Sequence, residues 1–97
     1  MSARSEPDDA DYRLIVAPKA ARAMANRIPA KTALAIYALI TGPLLRDPHR
    51  LGKPLTAPFE GLFSARKGSY RVIYAIGDED RTVAVVAIDH RAAVYKP

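Results

Sequence analysis

Leu62-Phe63-Ser64-Ala65-Arg66-Lys67-Gly68-Ser69-Tyr70-Arg71-Val72-Ile73-Tyr74-Ala75-Ile76, residues 62–76, is the stretch that decides the fold class. Aromatic and β-branched residues fill its second half, Lys67-Gly68 interrupts the run, and Tyr70, Val72, Tyr74 and Ile76 recur at period two. That pattern predicts two strands, 62–66 and 69–76, joined by a tight turn at Lys67-Gly68. Successive strand side chains alternate between faces, so Tyr70 and Tyr74 fall with Val72 on the core side and Arg71 points the other way. Gly77-Asp78-Glu79-Asp80 marks a second turn, and residues 81–89 form a third strand of the meander.

Upstream, Tyr12, Leu14 and Val16 alternate with Arg13 and Ile15, which predicts a first strand that Pro18 ends by removing a backbone donor. Pro18 also suits the first turn of a helix whose apolar face carries Ala20, Ala21, Met24, Ala25 and Ile28, until Pro29 breaks it. A second helix over 30–40 places Ala33, Ile36, Tyr37, Ile40 and Leu44 on one stripe, and Gly42-Pro43 stops it. Residues 41–61 hold so many prolines and glycines that they read as a long surface connection, carrying Arg46, Arg50 and Lys53. The expected architecture is a single small α+β domain of order β-α-α-β-β-β, an antiparallel sheet packed against an N-terminal helical hairpin. Residues 1–11, polar and acidic, read as a disordered tail ahead of a domain over 12–97.

At 97 residues the chain has room for one core and no second domain. It contains no cysteine, and its two histidines, His49 and His90, are far apart in sequence, so neither a disulfide frame nor a zinc site is expected. The N-terminus carries no apolar run, which predicts no secretory signal, no membrane span and a cytoplasmic protein. The formal net charge is +5, but Glu6, Asp8, Asp9 and Asp11 crowd the tail. Between Tyr12 and Ile76 there are eleven basic residues and only Asp47 and Glu60 as acids. Such an excess neutralises phosphates without reading base sequence; it also serves as a solvated surface that keeps a small protein soluble.

No phosphate-binding glycine loop, metal-binding histidine pair or nucleophile beside a base is present. What remains is a basic and phenolic group at one end of the sheet. Turn arithmetic sets Ser64 opposite Arg71 and Arg91 level with Lys67, so that Arg66, Lys67, Arg71 and Arg91 converge. A site without a metal or strong nucleophile can still cleave RNA, because the ribose 2′-hydroxyl is itself the nucleophile and the protein need only position it, move protons and stabilise charge on the phosphorane. Guanidinium groups suit that last task, since their fork pairs with phosphate oxygens and stays charged.

The run Gly61-Leu62-Phe63-Ser64-Ala65-Arg66-Lys67-Gly68-Ser69-Tyr70-Arg71-Val72-Ile73-Tyr74 resembles the glycine, basic strand and Tyr-Arg-Val-Ile-Tyr block of the RelE branch of the RelE/ParE toxin superfamily. Ile88-Asp89-His90-Arg91 with Val94-Tyr95 resembles that family's C-terminal pattern, Gly52-Lys53-Pro54-Leu55 the segment before its glycine, and residues 14–21 its opening strand and helix start. The resemblance implies a RelE-like fold and the toxin of a type II toxin–antitoxin pair, a metal-independent, cofactor-free endoribonuclease that cuts translated mRNA in the ribosome. It implies that Arg71 holds the scissile phosphate, Arg91 stabilises charge on the phosphate or leaving oxygen, and Tyr95 positions a nucleotide. Arg66 matches one basic strand position of the family; Ser64 stands at the other and cannot supply a cation. The general base is therefore open, and His90 is a replacement, an imidazole being suited to proton transfer near neutrality. Arg46, Arg50, Lys53, Lys67 and Lys96 would contact RNA backbone. The implied partners are the ribosome, mRNA and a helical, acidic, RelB-like antitoxin. Two other readings are carried forward: a ParE-like inhibitor that binds DNA gyrase without cutting RNA, and a degenerate toxin that keeps only antitoxin binding.

Overall fold

The computed structural model describes residues 11–90, so the expectation of a disordered tail lies almost wholly outside the described residues. Strand β1 (Arg13–Val16) leads into helices α1 (Pro18–Asn26) and α2 (Ala30–Thr41). Two single-turn helices follow, α3 (Pro43–Arg46) and α4 (Pro48–Leu51), then β2 (Lys53–Pro54), β3 (Phe63–Lys67), β4 (Tyr70–Gly77) and β5 (Thr82–His90). The five strands form one sheet in the order β1-β5-β4-β3-β2. The α+β class and the helical hairpin stand as expected, with one pair parallel: β1 lies beside β5 in the same direction, Leu14 opposite Val83 and Val16 opposite Val85. The two proline-capped turns of α3 and α4 replace the irregular connection expected over 41–61; proline at the first helical position has no backbone N–H to leave unsatisfied.

One face of the sheet builds the core. Ala65, Val72, Tyr74, Val83, Val85 and Ile88 pack against Ala20, Ala23, Ile36, Ile40 and Leu44 from the helices and Ile28 from the α1–α2 connection. The spacing of the β5 residues is two and then three, because the β4–β5 register shifts between Ile73, opposite Ala87, and Tyr74, opposite Val85. The extra residue, Val86, re-phases β5, so Val83, Val85 and Ile88 all face inward while Ala87 and Asp89 face out.

Tyr74 is fully buried, and its hydroxyl donates to the Pro48 carbonyl at 2.7 Å. That bond fastens the α3–α4 segment onto the sheet, and burial pushes the phenol up to about 12. Gly52 lies beside it. A Cβ at residue 52 would overlap the Tyr74 hydroxyl and come within 2.7 Å of the Ser64 carbonyl oxygen, so glycine is required here by close packing. At the other end of β4, Asp78 accepts hydrogen bonds from the Tyr12 hydroxyl at 2.7 Å and from His49 Nε2–H at 2.8 Å, joining β1, α4 and the β4–β5 turn. Arg81, the one non-glycine with positive φ among the described residues, lays its guanidinium 4.3 Å from the Tyr12 ring centroid.

Two expectations follow. Gly52→Ala destabilises the domain by about 2 kcal/mol or more, through overpacking against backbone, and Tyr74→Phe costs about 1–2 kcal/mol by leaving a buried carbonyl unbonded, both measured by urea unfolding. The hydrogen bonds from His49 and then Tyr12 hold the Asp78 carboxyl below the usual 3.8. A depressed folded-state pKa gives stability that is present above the ordinary aspartate value and lost as pH falls through the folded value. The stability gap between the parent chain and Asp78→Asn is thus full at neutral pH and closes below 3.8; a gap independent of pH down to 2 would contradict the clasp.

Candidate nucleic-acid interface

The outer face of the sheet carries the site. Ser64, Arg66, Arg71, Ile73 and Asp89 fall on it by strand alternation, opposite in direction to buried Ala65, Val72 and Ile88. Turn chemistry sets the register within it. Lys67 pairs with Tyr70, leaving Gly68-Ser69 as a two-residue loop with Gly68 at φ 60. A turn centred on Lys67-Gly68, as expected from the sequence, would ask lysine for a positive φ; glycine at the first central position avoids that strain. Each β3 partner thus moves by two residues: Ser64 lies opposite Ile73, and Arg66 lies opposite Arg71. A shift of two preserves the face, so what changes is Arg71's neighbour, from a serine to an arginine.

Arg71 therefore sits between Arg66 on β3 and Asp89 on β5, three charged residues abreast. Lys53 on β2 lies opposite Ser64, two residues along β3 from Arg66. Directly paired residues of antiparallel strands have Cα atoms about 4.5–5.5 Å apart. Two unit charges 4 Å apart repel by roughly 1 kcal/mol in water and about 4 kcal/mol at an effective dielectric of 20. An anion placed among such neighbouring cations is attracted to each of them. Arg66 and Lys53 are exposed and Arg71 is half-buried, so the row presents its charge to solvent from a fixed base.

Lys67 and His90 belong to the same end of the sheet but to the helix side. Lys67, Tyr70 and His90 align across β3, β4 and β5, and the Tyr70 and His90 rings meet edge to face at 5.5 Å. His90 thus does not share the face of Arg66 and Arg71. Arg46 and Arg50 stand exposed on α3 and α4, the segment tied to the Asp78 end through His49 and through the Tyr12 amide bonded to the Leu45 carbonyl, and the structure does not bring them to the row. Arg91, Tyr95 and Lys96 lie outside the described residues.

Three features escaped the sequence reading. The β2–β3 loop folds back on itself through Leu55 N–H to Leu62 O and Phe59 N–H to Thr56 O, and together with Ile73, Asp89 and Lys19 it encloses a cleft of about 330 Å³ beside the arginine row. No breaker pattern announces it; Leu55, Phe59 and Leu62 were the only signal. The second is the Tyr12–Asp78–His49 clasp, formed by residues 66 and 29 positions from Asp78 in sequence. The third is on the helices. Tyr37, expected on the buried stripe, is 57% exposed, and with Leu34, 70% exposed, it edges an apolar groove of about 580 Å³ that runs past Met24, Ile28 and Ala33. The stripe that is buried is narrower, Ile36 and Ile40 from α2 continued by Leu44 from α3. Among the described residues no group of three or more His, Asp or Glu side chains is placed to hold a metal ion, and no helix is long and apolar enough to cross a membrane.

A family model described as the ParE toxin of type II toxin-antitoxin system, parDE, matches residues 14–95. Toxin RelE of Mycobacterium tuberculosis (strain ATCC 25618 / H37Rv) is 47% identical over 89 residues, covering 92% of this chain and 91% of that protein. Toxin RelG of the same organism is 42% identical over 76 residues, covering 78% of this chain and 87% of that one. Among solved structures, the toxin–antitoxin complex RelBE2 from M. tuberculosis matches with a TM-score of 0.80 at 38% identity, over 88% of this chain and 97% of that chain. The sheet order, the helical hairpin and the match over nearly the whole described chain lead to one assignment: the chain belongs to the ParE toxin family of type II toxin–antitoxin systems, within the RelE/ParE superfamily.

Proposed function

We propose that the protein is a ribosome-dependent endoribonuclease that cuts translated mRNA at the Arg66–Arg71 row. One observation carries the reading: two arginines are register partners on the open face of a sheet whose opposite face is the core. A single phosphate placed between them can accept a bidentate bond from each guanidinium. The 47% identity to a protein named Toxin RelE supports the same choice over a gyrase inhibitor.

The nucleophile of this chemistry is supplied by the RNA itself. The 2′-oxygen attacks the adjacent phosphorus and loses its proton, the bond from phosphorus to the 5′-oxygen breaks, and that oxygen takes up a proton. The products are a 2′,3′-cyclic phosphate and a 5′-hydroxyl. Arg71 and Arg66 stabilise the charge that builds on the phosphorane oxygens, and Lys53 holds the strand by a neighbouring phosphate. Arg91 adds charge at the leaving oxygen and Tyr95 positions a nucleotide. Proton transfer falls to Tyr95, because His90 lies on the helix side of β5, on the face opposite the row. Lys67, Lys96, Arg46 and Arg50 contact RNA backbone further out, the last two at the opposite end of the sheet.

An antitoxin is the partner of this reading, and the groove edged by Leu34 and Tyr37 is the surface we assign to it. A helix laying an apolar stripe there would cover side chains that water now meets. Acidic residues on the same antitoxin would reach the cationic row.

The test is a translating extract in which new 5′-ends of messages are mapped, run beside a DNA gyrase supercoiling assay. The parent chain yields cuts within translated codons and leaves supercoiling unaffected. Arg71→Ala reduces cutting by about 100-fold or more, on the scale of losing one preorganised charge-stabilising donor, and Arg66→Ala by about tenfold. Intact messages with blocked supercoiling would replace the nuclease by the gyrase-binding reading. Intact messages, free supercoiling and normal growth on expressing the chain alone would leave a toxin reduced to antitoxin binding.

A further inference from the structure

We infer that the cleft beneath the β2–β3 loop is a nucleobase subsite, seating one unstacked base of the RNA whose phosphate lies on Arg66 and Arg71; the inference rests on RNA being the ligand of that row. The cleft measures about 330 Å³, at the small end of the roughly 300–1,000 Å³ that ligand pockets span. Phe59 and Leu62 come from the loop and Ile73 from the sheet floor, so two apolar walls face each other. A flat heterocycle with apolar faces and a polar rim matches that shape. A peptide backbone does not, since its carbonyl and amide groups would meet leucine and isoleucine without partners.

The polar groups of the cleft are sorted to its edges. Asp89 lines it and is the register partner of Arg71, which puts the base and the phosphate of one nucleotide within a single strand pairing of each other. Lys19, from the first turn of α1, supplies a cation that can meet the next phosphate or a base carbonyl. Asp89 makes no ion pair with another described residue. An ionised carboxylate only accepts hydrogen bonds. It therefore favours bases that present an exocyclic amino group, adenine, cytosine and guanine, and disfavours uracil, whose single ring N–H lies between two carbonyl oxygens. Phe59 contributes stacking, which does not discriminate among bases; Asp89 contributes the preference.

The bulge at Val86 is what makes this subsite. Without the re-phasing of β5, Ala87 and Asp89 would turn toward the helices, and the cleft would lose both its floor and its acceptor.

The experiment measures binding of labelled eight-nucleotide RNAs of adenylate, cytidylate and uridylate, each 2′-O-methylated to block cleavage, by fluorescence anisotropy at fixed salt. Circular dichroism checks each variant's fold. The parent chain binds the adenylate and cytidylate strands about fivefold or more tighter than the uridylate strand. Phe59→Ala weakens all three by about tenfold, the usual loss for one base–aromatic stack, and Phe59→Leu, which keeps the apolar wall, weakens them similarly. Asp89→Asn levels the three affinities without weakening the uridylate complex. Equal affinities for the three RNAs in the parent chain, or indifference to both Phe59 variants, overturns the subsite. Loss of antitoxin binding in Phe59→Leu with RNA binding unchanged overturns it too, by giving the cleft to the protein partner. Failure of the nuclease reading looks different: the parent chain leaves messages intact in the extract while the base preference in binding persists.

Discussion

The register between β3, β4 and β5 is the constraint from which the rest follows. Gly68 at positive φ fixes a two-residue turn, and that turn sets Arg66 against Arg71. The bulge at Val86 fixes the other side, setting Asp89 against Arg71 while Val83, Val85 and Ile88 stay in the core. A slip of one residue in either pairing would send these charges into the helices and expose the core residues, at a cost no small domain could bear. Core packing therefore holds the charged row in register.

The two ends of the sheet are built differently. At the Asp78 end, an acid collects a tyrosine hydroxyl and an imidazole, and the Tyr12 ring carries the Arg81 guanidinium. At the Arg71 end, Lys53, Arg66 and Arg71 share the outer face with Asp89 among the described residues, and an apolar cleft opens beside them. The first arrangement closes a fold, while the second sets a row of cations beside an apolar cleft, which matches a ligand with both phosphates and flat rings. Single-stranded RNA has both, and the superfamily to which the chain belongs supplies the setting in which such a site acts.

Much of this was legible in the residues. Period-two alternation in 70–76 placed Tyr74 and Val72 inside and Arg71 outside, and the breakers at Pro18, Pro29 and Gly42 bounded α2 to within a residue and fixed the start of α1, which ends at Asn26, two residues before the expected Ile28. Local patterns report local geometry, and these are local. The register was not legible to the residue, because Lys67-Gly68 and Gly68-Ser69 are both acceptable turn pairs until lysine is asked for a positive φ. The parallel seating of β1 on β5 and the Asp78 clasp depend on contacts between distant segments, for which no periodicity exists. Tyr37 misled for a related reason: helical spacing identifies an apolar stripe but does not say how wide a strip the neighbouring layer covers. The cleft was hidden in a segment read as punctuation, where Leu55, Phe59 and Leu62 are spaced by prolines and a glycine and match neither strand nor helix period.

The most direct measurement is a crystal structure of the chain bound to a short RNA carrying a 2′-O-methyl group at the cleavage site. The account requires one phosphate to bridge the guanidinium groups of Arg66 and Arg71, with N···O distances of about 2.7–2.9 Å, and the adjoining base to enter the cleft against Phe59. A strand bound along the helix side through Lys67 and His90, with the Arg66–Arg71 row empty, would contradict it.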